Sequence, residues 1–436
     1  MLARYYEKQG ATVTYLISGE SAWFKASNTS KIGIAQQDGG TAADGDQTSN
    51  DFRIITTPQL HIGVNPHQAN KSHAQDPSIK TLSDRIRERQ ETLERVLDDV
   101  KPTLIFFDEF CSLDYALMYE KFKNIQSFIL VHTLPNEPDR SIPPLDTALG
   151  PTPFSRYLWI FRRMTLHLED FMYSVRNPQK SVRSTMQFLK KSGLQTPSYQ
   201  FYANRNPVFD GLQRWYLSAP EIDFPSRGLK PSSKYMGPMV DVARNEMIKP
   251  RVQMFLKKCE HTEDAVLIYC GFGTVIRSFV LDQHLLEFYH SLNEIASRKP
   301  HWHILVSVPA NLYTQIKPTG MNIMFAEYVP QLQVLPKTDV FITHGGGSVL
   351  EALYFGVPMM CVPPDKEIDY PGNAVRIKHH GLGLISGFQQ NTDEIESKLT
   401  QLVENPAYRD RCHKFAKIFN KEYGTDYLNR MGLPKA

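Results

Sequence analysis

The chain has 436 residues, of which 41% are hydrophobic and 22% are charged, and its formal net charge at pH 7 is +3. This composition excludes a disordered or fibrous chain, and the length predicts two or more domains. A charge this close to neutral, without a concentrated basic face, argues against nucleic acid as a partner.

Cysteine usage and hydropathy indicate the compartment. The five cysteines, at positions 111, 259, 270, 361 and 412, form no CxxC pair, so we predict neither disulfides nor a zinc site. No apolar run approaches the roughly 20 residues of a membrane helix, and residues 1–10 do not resemble a secretory signal. We expect a cytoplasmic protein without a transmembrane segment, and peripheral contact with a membrane is left open.

The N-terminal half alternates predicted helices and strands. A helix over residues 1–9 ends at Gly10, a strand covers 11–17, and a helix covers about 83–97. Two buried strands follow, Leu104–Phe107 before Asp108 and Ser127–Val131 before His132. Because a parallel sheet normally opens with a strand that feeds its first helix, we expect that opening strand and its loop to be absent.

Residues 36–50 are rich in glycine, aspartate and threonine, and Asp44-Gly45-Asp46 has the form of a DxD metal motif. It lies in a polar loop with no strand after it, so we predict no metal site there.

Residues 154–175 predict a long helix with an apolar stripe at helical spacing. The stripe consists of Tyr157, Ile160, Phe161, Met164, Leu168, Phe171, Met172 and Val175. Most such stripes face a protein core. The alternative is one wall of an apolar acceptor cleft, with Trp159 and Arg162 near its rim.

The remaining pattern predicts two α/β halves. A Pro-rich stretch over 218–238 is interpreted as a linker between an N-terminal domain, 1–217, and a C-terminal domain, 239–415. Strands and helices alternate again in the second half, and residues 416–436 are predicted to form a helix that returns toward the first domain. We therefore expect two doubly wound, Rossmann-like domains that face a cleft.

The most informative segment is the predicted strand–turn–helix of residues 341–364. The turn His344-Gly345-Gly346-Gly347 leaves backbone amides free, and a helix begins at Ser348 and ends at Gly356. Free amides and the positive end of a helix form a seat for a diphosphate. Ser348 can donate to a phosphate oxygen, and Glu351, one turn deeper, can accept from both ribose hydroxyls. The alternative is a purely structural role, in which the segment is a glycine turn and Glu351 is a solvated glutamate.

The run YVPQLQVLPKTDVFITHGGGSVLEALYFGVPMMCVPPDKEIDYPGNA, residues 328–374, resembles the signature of family 1 glycosyltransferases of the GT-B fold. Ile268-Tyr269-Cys270-Gly271-Phe272-Gly273-Thr274 and Tyr235-Met236-Gly237-Pro238 are similar to two further motifs of that family. The likeness is to the bacterial macrolide and carotenoid enzymes and, more distantly, to UDP-glycosyltransferases of plants and animals.

The resemblance implies roles around a nucleotide-sugar donor. The base would stack on Tyr328 and meet the backbone of Val329, and Gln331 would lie beside the ribose. Contacts with the diphosphate are implied for Gly271, Gly273, Thr274 and His344. Asp369, with Asn373 completing the motif, would hold sugar hydroxyls. Tyr370 stands where the family usually has Gln, which leaves the sugar open.

The family reaction is an inverting displacement of a nucleoside diphosphate by an acceptor hydroxyl, without a metal or other cofactor. Its base is a His after the first N-terminal strand, oriented by an Asp that matches Asp108 here. The other interpretation of Asp108 is a helix cap at the strand end. The family His is missing from this chain. The segment His61-Ile62-Gly63-Val64-Asn65-Pro66 resembles its motif only by coincidence. His132 is a candidate for a substitute base.

We therefore expect a hexosyltransferase that uses a UDP- or dTDP-sugar and a small, apolar acceptor, and that is weakened by N-terminal truncation. Loss of a positioned base typically lowers a rate by roughly 10²–10⁴-fold. The alternatives are a non-catalytic binding or helper protein and, less compatible with the motifs, a sugar-nucleotide epimerase. The aromatic residues Trp159, Phe161, Phe171 and Trp215 favour an apolar acceptor.

Overall fold

The computed structural model describes residues 1–18, 53–57, 81–178, 181–201, 207–226, 228–242, 244, 246–273, 276–364, 369–423 and 427–435. Everything below concerns these residues.

The N-terminal half contains six helices and eight short strands within the described ranges. The helices are α1 Leu2–Lys8, α2 Leu82–Val100, α3 Leu113–Leu117, α4 Tyr119–Phe122, α5 Ser155–Arg176 and α6 Val182–Lys191. The strands are β1 Thr14–Ser18, β2 Arg53–Thr57, β3 Leu104–Asp108, β4 Gln126–Val131, β5 Tyr199–Gln200, β6 Val208–Phe209, β7 Gln213–Tyr216 and β8 Ser233–Tyr235. The predicted alternation of helices and strands is confirmed.

These strands form three sheets. The largest has the order β3-β4-β7-β8 and is parallel throughout, while β1 and β2 form a separate parallel pair and β5 and β6 an antiparallel one. Strand β8 falls inside the stretch predicted as a linker. That stretch is therefore partly structured, because its backbone supplies the edge strand of the N-terminal sheet.

The C-terminal half has six strands and nine described helices. The strands are β9 Val266–Gly271, β10 Trp302–Ser307, β11 Ile323–Ala326, β12 Val340–Thr343, β13 Met359–Cys361 and β14 Gly383–Ile385. The helices are α7 Pro250–Glu260, α8 Asp282–Arg298, α9 Ala310–Tyr313, α10 Gln331–Val334, α11 Ser348–Phe355, α12 Tyr370–His379, α13 Thr392–Glu404, α14 Pro406–Glu422 and α15 Tyr427–Arg430.

The six C-terminal strands form one parallel sheet in the order β11-β10-β9-β12-β13-β14. Helices cover both faces, so the strands are largely apolar on both sides and mostly buried; Ile304, Phe341 and Ile342 have no measurable exposure. The chain runs outward from β9 in one direction and returns to β12 for the other. The sheet therefore has a topological switch point between β9 and β12, where doubly wound folds bind ligands.

The apolar stripe of helix α5 does not face a core, so that prediction is wrong. Its eight side chains are 41–67% exposed. The buried face carries Trp159, Leu166 and Asp170 instead, and the indole of Trp159 donates to the carbonyl of Ile142 at 2.7 Å. An ion pair also anchors this side of the helix, since Arg162 pairs with Asp146 at 2.5 Å.

Two tryptophans that had suggested an apolar acceptor surface belong to the interior. Trp159 is 4% exposed and Trp215 is 3% exposed. Trp215 packs on Phe128, with ring centroids 4.1 Å apart. Their aromatic character therefore stabilises the N-terminal half and gives no information about an acceptor.

Several contacts join the two halves. The guanidinium of Arg376 on α12 is buried and pairs with Asp223 at 2.6 Å, and Tyr423 donates to Glu221 at 2.9 Å. After α14 the chain lies against the N-terminal sheet, where Leu428 joins a cluster around Trp215. These contacts hold the C-terminal half against the N-terminal half.

Candidate functional site

Two loops flank the switch point of the C-terminal sheet. One follows β9 at Gly271 and Phe272 and reaches Gly273, and the other follows β12 from His344 to Gly347. They lie in contact, because a Cβ placed on Gly273 would be 3.3 Å from Cε1 of His344. The structure thus brings together two glycine-containing segments that are about 70 residues apart in the chain.

The glycine turn after β12 has a different reason for each of its glycines. Gly345 has φ +89°, which disfavours any side chain, and a Cβ on Gly346 would lie 2.4 Å from Nε2 of His344. Gly347 is exposed, and a Cβ there would meet no atom within 4 Å. Space therefore opens at the start of α11, where the helix dipole favours an anion.

His344 is buried and its ring packs edge-on against Tyr370, with centroids 4.6 Å apart. Burial lowers the pKa of His344 to about 4, so the imidazole is neutral. Its Nδ1 has no hydrogen-bond partner among the described residues. A buried, unpaired ring nitrogen beside an open anion seat is suited to a hydrogen bond with a ligand.

Ser348 and Asn373 stabilise the turn itself. The hydroxyls of Ser348 and Thr343 are 2.8 Å apart. The Asn373 amide donates to the carbonyl of Gly345 at 2.8 Å and to the carboxylate of Asp369 at 2.7 Å. Asn373 therefore connects the glycine turn to Asp369, and its two amide protons are used within the protein.

Glu351 lies one turn inside α11 and accepts a hydrogen bond from the amide of Gln331, which stands at the start of α10. Gln331 in turn lies beside Gly271, because a Cβ on Gly271 would be 3.4 Å from its Oε1. Burial raises the pKa of Glu351. Glu351, Gln331 and Gly271 thus form one polar corner at the end of β9.

Tyr328 is 42% exposed and its hydroxyl donates to Glu246 at 2.7 Å. The neighbouring Val329 is buried, so Tyr328 is the residue of this pair that is open to solvent. Glu246 also pairs with Arg244 at 3.2 Å. Neither Glu246 nor Arg244 could be found from the sequence, since they lie in an irregular stretch about 80 residues before Tyr328.

Asp369 lies at the start of α12 and is 9% exposed. Burial raises the pKa of Asp369 to about 6, although the hydrogen bond from Asn373 acts against this shift. Tyr370, the departure from the family pattern, directs its ring at His344. The carboxyl group of Asp369 therefore lies close to the glycine turn and is shielded from solvent.

The N-terminal half contributes a histidine–carboxylate pair. Nε2 of His132, just after β4, lies 2.8 Å from Oδ2 of Asp108 at the end of β3. The other oxygen of Asp108 accepts from the amide of Phe110 at 2.9 Å, so Asp108 also caps the next turn. Asp108 therefore caps the next turn with one oxygen and contacts His132 with the other. The hydrogen bond to Asp108 raises the pKa of His132.

Glu109 was not recognised from the sequence. It is 7% exposed, and its carboxylate accepts from the backbone amide of His132 at 3.2 Å. Burial raises the pKa of Glu109 to about 7, and the charges of Asp108 and Asp369 add to the shift. The influence of Asp369 places the N-terminal pair opposite the C-terminal site. Only the adjacent Asp108 could have drawn attention to this position.

Some predicted positions lie outside the described residues: Thr274, Asp44 and Asp46 of the DxD motif, and the segment from His61 to Pro66. Within the described ranges, histidines, cysteines and carboxylates form no group of three or more that could hold a metal ion. None of the described helices is both long and apolar enough to span a bilayer.

Comparison with known proteins agrees with this geometry. Residues 296–421 match the model of the erythromycin biosynthesis protein CIII-like C-terminal domain. An uncharacterised UDP-glucosyltransferase, YdhE, of Bacillus subtilis is 30% identical over 164 residues, 37% of this chain and 40% of that protein. The UDP-glucuronosyltransferase 2C1 of Oryctolagus cuniculus is 35% identical over 116 residues, 25% of this chain and 23% of the relative. The chain thus aligns with less than half of either relative's length.

Solved structures extend the likeness over the whole chain. The glycosyltransferase of kitacinnamycin superposes with a TM-score of 0.62 at 18% identity, covering 99% of this chain and 94% of that one. A UDP-glucose:anthocyanidin 3-O-glucosyltransferase in complex with UDP gives a TM-score of 0.60 at 15% identity, with coverage of 99% and 92%. The sequence matches therefore show that the C-terminal half is similar to family 1 glycosyltransferases, and the shared architecture shows that the chain has the GT-B fold.

Proposed function

We propose that this protein transfers a hexose from a nucleoside-diphosphate sugar, UDP-linked in the first instance, to a hydroxyl of a small apolar acceptor, with inversion at the anomeric carbon. The observation that carries the proposal is the corner around the start of α11. The exposed Gly347, the buried His344 with its unpaired Nδ1, and Glu351 all lie in the turn after β12 or the first turn of α11, at the switch point of a doubly wound sheet.

Each part of that corner matches a part of the donor. The start of α11 and the neutral His344 suit the diphosphate, because they donate hydrogen bonds without adding a carboxylate near its charge. Glu351 suits the ribose hydroxyls, and the exposed ring of Tyr328, anchored by Glu246, suits the base. Asp369 lies beyond the turn, where it can accept from sugar hydroxyls.

The same groups favour departure of the nucleoside diphosphate. Charge builds on the leaving phosphate as the bond to the anomeric carbon breaks. Fixed amides and the positive end of α11 stabilise that charge without reorganising, and they are already oriented in the structure. The proposed step uses no metal.

We propose His132 as the base that takes the acceptor proton. Its Nε2 is held by Asp108, so the free Nδ1 can face an acceptor hydroxyl, and the resulting imidazolium is stabilised by the carboxylate. The oxygen then attacks the anomeric carbon from the face opposite the leaving group.

Replacement of His132 tests the reaction and the donor site separately. In His132→Gln, transfer from a panel of UDP- and dTDP-hexoses to mixed hydrophobic alcohols should fall by roughly 10²–10⁴-fold. UDP affinity, measured by calorimetry, should stay the same, because His132 lies in the other half of the molecule. The control His290→Gln removes an exposed histidine from α8 and should change neither quantity.

Asp108→Asn gives the accompanying pH test. A base must be deprotonated to act, so the rate rises with pH through the pKa of His132, which Asp108 raises. The variant should shift this acid limb to lower pH while it lowers the plateau. UDP binding without sugar consumption for any acceptor would favour the non-catalytic alternative, and absence of UDP binding would remove the donor site itself.

A further inference from the structure

Helix α5 carries an apolar face that points away from the molecule. Its members are Tyr157, Ile160, Phe161, Met164, Leu168, Phe171, Met172 and Val175, each between 41% and 67% exposed. At 100° per residue they cover about 120° of the helix circumference, and they run for about 27 Å along it. We call this set the α5 face.

The opposite side of the helix is the one that packs. Trp159, Leu166 and Asp170 are buried there. The two carboxylates of the helix are engaged on that side, Glu169 with Arg162 at 3.2 Å and Asp170 with Arg183 at 2.9 Å. Packing on the molecule therefore does not require the α5 face.

The charges that border the α5 face have one sign. Arg156 and Arg163, with the exposed His167, project along one edge, and Arg176 projects along the other. Each exposed charged side chain of this helix is therefore cationic. Large apolar side chains flanked by arginines, without exposed carboxylates, are typical of a helix that lies in the interface of an anionic membrane.

We propose that helix α5 rests on an anionic lipid surface, with the α5 face among the acyl chains near the headgroups and its arginines at the phosphates. The helix lies on the bilayer and does not cross it, since the inward side holds Arg162, Glu169 and Asp170. This inference does not depend on the reaction proposed above.

Other occupants fit the face less well. In a second copy of the chain, the arginine edges of two packed helices would approach each other and repel. A small acceptor molecule covers only a fraction of a stripe about 27 Å long. Negative lipid headgroups, in contrast, meet both requirements at once, since they accept the arginines beside an apolar layer.

Co-sedimentation of the full chain with vesicles tests the proposal. Wild-type protein should bind vesicles of phosphatidylcholine with phosphatidylserine more tightly than vesicles of phosphatidylcholine alone, and added salt should reduce the difference. Phe161→Gln combined with Leu168→Gln should weaken binding to both kinds of vesicle by at least about tenfold. Arg156→Gln combined with Arg163→Gln should weaken binding to the anionic vesicles alone, by roughly 30-fold.

Matched controls separate the α5 face from general surface effects. Lys414→Gln with Lys417→Gln removes two exposed cations from α14, and Met254→Gln with Met321→Gln removes two exposed apolar groups from the C-terminal half. Both should bind vesicles as the wild type does. All these positions are exposed, so circular dichroism should report unchanged thermal midpoints.

Three results would overturn the proposal. One is wild-type protein that stays in the supernatant with anionic vesicles. Another is binding by the α5 variants that equals binding by their controls. The third is a change of oligomeric state in the Phe161→Gln, Leu168→Gln variant on size exclusion, since the face would then belong to a second copy.

Discussion

In the C-terminal half, the groups that would hold the diphosphate and the ribose lie around the ends of two adjacent strands, β9 and β12, and in the first turn of α11. In the N-terminal half, Asp108, Glu109 and His132 come from β3 and β4, and their environment depends on Asp369 across the cleft. The first arrangement is set largely by local backbone geometry, since a glycine-containing loop follows each of two neighbouring strands. The second is set by burial and by side chains that meet only in the folded molecule.

This difference predicts separable effects. Changes in the C-terminal corner should alter binding of the nucleotide, whereas changes in the N-terminal cluster should alter the rate, its pH dependence or stability. The comparison would fail if a change in the C-terminal corner altered only stability, or if a change in the N-terminal cluster altered nucleotide binding.

The largest effect in the C-terminal corner is expected for Glu351→Ala. The variant loses hydrogen bonds from two ribose hydroxyls to a charged group, about 3 kcal/mol in all, so UDP affinity should fall roughly 100-fold by calorimetry. The thermal midpoint should change little, because among the described residues the side chain accepts a hydrogen bond from the amide of Gln331 alone. Glu404→Ala, an exposed carboxylate in the same half, is the control.

A smaller loss than tenfold for Glu351→Ala would show that the carboxylate does not hold the ribose. The same would follow from an equal loss in the Glu404→Ala control, since that side chain lies outside the corner.

The N-terminal cluster should respond through stability. The pKa of Glu109 is raised from 4.5 to about 7 in the folded chain, so the folded state keeps a proton that the unfolded state releases. Stability therefore falls as pH rises through that window. Glu109→Gln cannot ionise and should gain on the order of 2 kcal/mol relative to wild type above about pH 7.

Urea unfolding of wild type and Glu109→Gln at about pH 5 and about pH 8 measures this gain. Because the amide oxygen can still accept from the backbone of His132, the two proteins should be similar at the lower pH. Glu404→Gln should show no such pH dependence. A stability difference that is constant with pH, or one that shrinks as pH rises, would contradict the assignment of a buried, protonated carboxyl.

The sequence predicted the C-terminal half in detail because its signals are local. The helix predicted to begin at Ser348 and end at Gly356 is α11, which begins at Ser348 and ends before Gly356, a residue with φ +72°. A glycine turn between a buried strand and a helix carries its own geometry. The donor-site residues could therefore be proposed before their contacts were known.

The N-terminal half escaped the same reasoning because periodicity does not say which side of a helix packs. The stripe of α5 is more apolar than its opposite side, yet the opposite side is buried by Trp159 and by the ion pairs of Arg162 and Asp170. Glu109 reads as an ordinary surface carboxylate until the fold covers it. Glu246 supports Tyr328 from a distant, irregular stretch.

The smallest predicted effect tests the open space beside Gly347 at the start of α11. Gly347→Ala places a methyl group where no protein atom lies within 4 Å, and the residue has φ −55°, which alanine adopts freely. Stability should stay unchanged, while the methyl group keeps a phosphate from the amides and lowers UDP affinity by about tenfold. Gly346→Ala is its counterpart, since its methyl group would lie 2.4 Å from Nε2 of His344. That variant should lose roughly 1–3 kcal/mol of stability as well as affinity. If Gly347→Ala lost stability and affinity in parallel, as Gly346→Ala should, Gly347 would be needed for folding and not for phosphate binding. The nucleotide would then have to bind at another part of the sheet.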